Sequence, residues 1–242
     1  EFLQEVMRKE IKDRKIPISL GKTCPVKCTF CYEMDHSYRQ TFDMPLTTQE
    51  DWDFILNEII AFPTRATESW VLGGNEYMEW TDLALHPKAM EWIEEFLEKT
   101  DKNIIMFSVG YFDPKKINRL AEKYPGRINF ELSVITLGAY RKQLMPKGPS
   151  VNQVLEVLDG PAVTSANFYS FGPGTMSEDA KTIAKMNADC LLWMGTLTPL
   201  KYIDEKTTNL MRQGKRFLSD EAQKIYDMNL TNVQMIHTES DI

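Results

Sequence analysis

Strand-like and helix-like stretches alternate along this chain with short connections, and that order limits its possible folds more than any other feature. Residues 16–21 read as a first strand and 69–74 as a second, ending in Gly73-Gly74. Residues 103–110 form a buried apolar run, and 128–135 alternate between apolar and polar with the period of two of a half-buried strand. Residues 166–171 and 190–194 supply a fifth and a sixth strand, and 233–236 a last short one. Between them, 48–60, 86–99, 113–123, 151–158, 178–187 and 220–228 have helical spacing or capping signals. Thr48 stands where a helix N-cap belongs, and Ser177 is the expected cap of the 178–187 helix. Strands that alternate with helices in this way pair in parallel, and the loops after their carboxyl ends carry the active site.

Three of the four cysteines fall in one such loop, as Cys24-Pro-Val-Lys-Cys28-Thr-Phe-Cys31 directly after the first strand. Clustered thiols in a single loop point to a metal site rather than a disulfide framework, and so to a reducing compartment, the cytoplasm. A zinc site needs four ligands, usually as two pairs, and no second Cys-x2-Cys pair follows. Three thiolates can instead hold three corners of an iron–sulfur cube and leave its fourth iron open.

The spacing, with Phe30 before the last cysteine, resembles the radical S-adenosylmethionine (SAM) superfamily, whose cluster motif is C-x3-C-x2-C. That resemblance extends over most of the chain. It implies an α/β fold, a partial (β/α)6 TIM-like barrel with parallel strands, in a single domain over 1–242. The barrel core would cover about 14–200, and 201–242 would add a C-terminal helix and a short strand.

By the same resemblance, Cys24, Cys28 and Cys31 would hold a [4Fe–4S] cluster whose open iron takes the amine and carboxylate of SAM. Gly73, Gly74, Asn75 and Glu76 are similar to the Gly-Gly-Glu segment that supports the methionyl amine, here with an Asn inserted before the acid. Ser133 and Arg141 would touch the ribose or carboxylate of SAM; the other reading of Arg141 is a solvated charge on a helix face. Gly172, with Gly174, would let the backbone approach the adenine, and Leu197 would lie against its edge. Phe30 would pack beside the cofactor.

The activity so implied is reductive cleavage of SAM, giving a 5′-deoxyadenosyl radical that abstracts hydrogen from a small-molecule or peptide substrate. An electron donor such as flavodoxin or ferredoxin would be a partner. Alternatives are group transfer to RNA or protein, a barrel that binds SAM without radical chemistry, and, outside enzymes, a zinc-binding interaction module. A formal charge of −7 argues against a general phosphate-binding surface, so nucleic acid is not expected. No apolar run is long enough to cross a membrane, and the N-terminus lacks the basic and apolar regions of a secretory signal. Cys190 reads as a small buried hydrophobe. Tyr32 and His36 lie near the cysteine loop, while Tyr77, Trp80, Tyr111 and Phe112 either line a pocket or cap the core.

Overall fold

Seven short strands pair in the order in which the chain makes them. The computed structural model describes residues 2–21, 24, 26–31, 45–63, 68–73, 82–197, 199, 203–230 and 232–235. The strands are β1 (Lys15–Ile16), β2 (Ser69–Leu72), β3 (Asn103–Ser108), β4 (Ile128–Ile135), β5 (Val163–Tyr169), β6 (Leu191–Gly195) and β7 (Val233–Met235). Every neighbouring pair is parallel.

The helices are α1 (Phe2–Lys12), which precedes the sheet, then α2 (Gln49–Ala61), α3 (Ala89–Lys99), α4 (Pro114–Lys123), α5 (Arg141–Leu144), α6 (Val151–Leu158), α7 (Thr175–Met186) and α8 (Glu205–Asp227). Crossovers between parallel strands are right-handed, so a strictly sequential order steps the sheet one way and keeps the crossover helices on one face. A sheet covered on one face only curls around the other. The result is an α/β partial barrel with β1 and β7 as its edges.

Local chemistry explains most boundaries. Thr48 caps α2 through a capping box with Asp51, and Asp113 caps α4 with Pro114 at the first helical position. β4 covers the residues that its alternation predicts. The first strand is shorter than 16–21, because Pro17 has no N–H to give a ladder and pairing stops at Ile16. Among the described residues the sheet has seven strands rather than six, since Val233–Met235 joins β6.

The largest departure is α8, a helix of 23 residues where capping and periodicity pointed only to 220–228. It is capped by Asp204, whose side chain accepts from the Thr207 amide. Ser177 does not cap α7; Gly174 occupies the N-cap position. A fully buried carboxylate from α8, Glu221, supplies the missing acceptor. It receives the Gly174 amide at 2.7 Å and the Ser177 amide and hydroxyl at 2.9 Å each, and it pairs with Lys224 at 2.7 Å. A carboxylate at a helix N-terminus meets both unsatisfied amides and the positive end of the helix dipole.

Strand register sorts side chains into two faces. Leu132, Ala166 and Leu192 share one row across β4, β5 and β6 and are buried in the main core, against the helices. The next row, Ser133, Asn167 and Trp193, is half-buried on the opposite, concave face.

Candidate metal centre and cofactor site

The cysteine loop follows β1 at the carboxyl ends of the strands, where Leu20 bridges to Leu46 just beyond Ile16. It is tied down from two directions. The Thr29 amide donates to the Leu144 carbonyl at 2.8 Å, joining the loop to α5. The Thr207 hydroxyl donates to the Thr29 hydroxyl at 3.2 Å, joining it to the start of α8. The Cys31 amide turns back onto the Cys28 carbonyl, and Lys27, exposed between the cysteines, takes a left-handed backbone at φ 53°.

Cys24, Cys28 and Phe30 pack on a second apolar cluster of Val26, Ile135, Leu144, Met145, Phe171 and Leu210, joined by Tyr111 and Leu197. Residues far apart in sequence thus surround the loop with an apolar shell. None of the four cysteines is in a disulfide. Burial pushes the Cys28 thiol up, and the neighbouring Cys31 and Cys24 sulfurs and the Asp82 carboxylate push it further, with Arg141 opposing. Without a cation beside it the Cys28 thiol is therefore protonated, and a metal bound there would have to displace that proton.

Among the described residues no three His, Cys, Asp or Glu side chains converge on one ion. A cubane takes one thiolate per iron and does not ask for that convergence. Three half-buried thiols in one loop, two of them packed on an apolar cluster, match in number the protein ligands such a cluster takes.

The other expected contacts are distributed as follows. Gly73 ends β2 with a left-handed backbone, φ 73°, and donates to the Ile16 carbonyl at 2.9 Å. Gly74, Asn75 and Glu76 lie outside the described residues, as do Tyr32, His36, Tyr77 and Trp80. Ser133 is on the concave face of β4, and Leu197 and Phe30 share the cysteine cluster. Gly172 has φ 151° and stands close to α8: a Cβ there would meet Gln213 Nε2 at 2.7 Å.

Arg141 is not a solvated helix-face charge. It is 4% exposed. Its guanidinium donates to the Pro149 carbonyl at 3.1 Å, the Val134 carbonyl at 2.5 Å and the Thr136 carbonyl at 3.1 Å. Its Nη2 has no partner among the described residues. The fork thus clamps the carboxyl end of β4 and keeps one donor in reserve. Phe112 belongs to the main core, edge-on to Phe130, whereas Tyr111 joins the cysteine cluster. Cys190 is 1% exposed, and burial pushes its thiol up to about 12, which keeps it protonated and inert.

Two carboxyls prove to be buried, Asp82 and Asp179, and nothing local in the sequence marks either as buried. Asp82 accepts from the Ser108 hydroxyl at 2.9 Å and the Val109 and Ala84 amides at 2.8 and 3.1 Å, joining the end of β3 to the turn Leu83–Leu85. Asp179 accepts the Leu137 amide at 3.1 Å with Oδ1, while its Oδ2 has no partner among the described residues.

Burial raises Asp179 from 3.8 to about 6, so the folded protein holds that proton more tightly than the unfolded chain. The stability this contributes is full below about 3.8 and is lost as pH rises through about 6. Asp179→Asn keeps the Leu137 acceptor and removes the buried charge. It is expected to raise stability at pH 8 by up to about 2 kcal/mol, the gain vanishing near pH 4. Urea melts of both proteins across that range check it; equal slopes against pH would refute it.

No family model matches the chain. No curated protein matches it either. Among solved structures, archaeal Elp3 from Methanocaldococcus infernus, with an N-terminal deletion, is similar at 18% identity and a TM-score of 0.37. The match covers 79% of this chain and 52% of that one, so this chain spans about half the length of the Elp3 it resembles. Likeness of that degree carries no argument about function, which rests on the chain's own residues.

Proposed function

We propose that the protein is a radical SAM enzyme in which Cys24, Cys28 and Cys31 hold a [4Fe–4S] cluster and the strand ends receive SAM. The observation that carries this is the C-x3-C-x2-C loop at the carboxyl end of β1, seated in an apolar shell and pinned to α5 and α8. The chemistry the group supplies when bound is one-electron cleavage of the SAM sulfonium, followed by hydrogen abstraction from substrate.

The chain's own residues provide position and dryness. Phe30, Phe171 and Leu197 pack in the same apolar cluster as Cys24 and Cys28 and would limit water on the thiol side of the site. Gly73 brings the chain out of β2 beside β1, so that Gly74, Asn75 and Glu76 follow directly after the strand that neighbours the cysteine loop. Ser133 offers a hydroxyl on the concave face, and the spare Nη2 of Arg141 offers a donor for a carboxylate. Gly172 and Leu197 would flank the adenine. Lys27, exposed between the cysteines, suits the approach of an acidic electron donor of the flavodoxin or ferredoxin type. A reducing compartment would keep the thiols available. The substrate class proposed is a small molecule or peptide.

The test is anaerobic reconstitution with iron and sulfide. The expected product is brown, carries about four irons per chain, and releases 5′-deoxyadenosine from SAM when reduced with dithionite. Colourless protein that binds zinc and leaves SAM intact would sink the proposal.

A further inference from the structure

The concave face of the sheet carries polar side chains that have no part in the cysteine loop. On β4, Asn129, Glu131 and Ser133 alternate with the buried Phe130 and Leu132, so all three face away from the helices. From β5, Asn167 Nδ2 donates to Glu131 Oε1 at 2.6 Å, and Tyr169 follows two residues later on the same face. Thr164 donates to Asn129 at the bulge between the two strands. On β6, Trp193 stands in register with Asn167.

Three properties of this row call for a partner. Asn167 Oδ1 and Trp193 Nε1 are buried and have no hydrogen bond among the described residues. Native proteins rarely leave such atoms orphaned, and a bound ligand is one reason they do. Glu131 makes no ion pair among the described residues, although it is half-buried. Burial pushes its carboxyl up, against the Asn167 hydrogen bond, and the same carboxylate adds to the rise at Tyr169. An uncompensated carboxylate with a phenol nearby is the complement of a cation.

We propose that this row is the substrate floor and that it takes a small primary amine bearing an oxygen, of amino-acid size. Glu131 and Asn167 Oδ1 receive the ammonium, and Trp193 Nε1 donates to the oxygen. Asn167 and Trp193 are register partners on adjacent strands, about 4.8 Å apart, so their unpartnered Oδ1 and Nε1 come from neighbouring positions. A phosphate would meet the Glu131 charge unfavourably, and a neutral sugar would leave that charge uncompensated. The inference rests on the proposed enzyme, yet Glu131, Asn167 and Trp193 are neither cysteine-loop residues nor among the SAM contacts named above.

The test therefore uses the full chain free of iron and SAM. L-serine and ethanolamine are the probes and ethylene glycol the neutral control, followed by saturation-transfer NMR and thermal melting. Both amines are expected to bind and to raise the melting temperature, and ethylene glycol to do neither. Glu131→Gln should weaken the amines about tenfold, the scale of one hydrogen bond to a charged group. Trp193→Phe, which keeps a ring and removes only the N–H, should weaken them less, and its melt reports whether the fold is intact. Absence of amine binding, equal binding of ethylene glycol, or unchanged affinity in Glu131→Gln would each overturn the proposal. So would an equal loss of SAM affinity in Glu131→Gln, which would assign the row to the cofactor. Failure of cluster reconstitution leaves these readouts untouched.

Discussion

Cys28→Ala is expected to abolish both cluster retention and SAM cleavage, with 5′-deoxyadenosine at the level of the protein-free control. Cys24→Ala and Cys31→Ala should do the same. A cubane held by three protein thiolates has no spare ligand, and the nearest alternative thiol, Cys190, is buried on the far side of the fold at the start of β6. Removing one corner therefore exposes an iron to water and exchange rather than recruiting a substitute. The iron-free proteins should melt within about 1 kcal/mol of one another, because a half-buried thiol replaced by a methyl group loses little packing. Cys190→Ala reverses the pattern. It should keep full iron and full SAM cleavage while costing about 1–2 kcal/mol, as a side chain 1% exposed leaves a small void. Iron assay, chromatography of SAM products and urea melts read all of this in one set of proteins. Iron retention by any of the three loop variants would refute the ligand assignment.

Gly214→Ala should be the most damaging conservative change in the framework. Gly214 lies in the middle of α8, where replacing an ordinary exposed glycine by alanine gains about 1 kcal/mol through helix propensity. Here a Cβ would stand 1.8 Å from the Ser170 carbonyl oxygen and 2.7 Å from its carbon. Those are backbone atoms at the end of β5, and they cannot rotate aside. The sign is therefore inverted, with a loss of about 3 kcal/mol or more and a fall of about 10 °C in melting temperature. The damage should reach the site as well, because α8 carries Thr207, which anchors the cysteine loop, and Gln213, which lies against Gly172. Iron retention after reconstitution should drop in parallel with stability. A melting temperature above that of the parent protein would show that α8 does not sit on β5 as described.

Where sequence and structure agree, the signal was local. Ile128–Ile135 alternates because one face meets helices and the other does not, and Val151–Leu158 shows its helical face directly. Thr48 caps α2 with its own side chain, accepting from the amide three residues ahead. Ser177 misled because a hydroxyl in a polar stretch looks like a cap, while the real acceptor, Glu221, comes from another helix 44 residues on. The first fifteen residues of α8 were unreadable for a related reason. Thr207, Thr208, Asn209 and Gly214 are weak helix formers, and the helix they belong to is held by its packing against α7 and, at Gly214, against Ser170 after β5. Glu131 could have been found: the alternation that places Ser133 on the concave face places Glu131 there too.

The sequence by itself determined the order of strands and helices, hence a parallel sheet, and the grouping of three thiols in the loop after the first strand. Both are encoded within a few residues, by periodicity and by spacing. Tertiary structure alone decided that Arg141 is a buried clamp on β4 rather than a surface charge, and that Asp82 and Asp179 are desolvated. It also decided that Asn167 and Trp193 share a row with Ser133. Burial and cross-strand register are properties of what arrives from elsewhere in the chain, and no local pattern carries them.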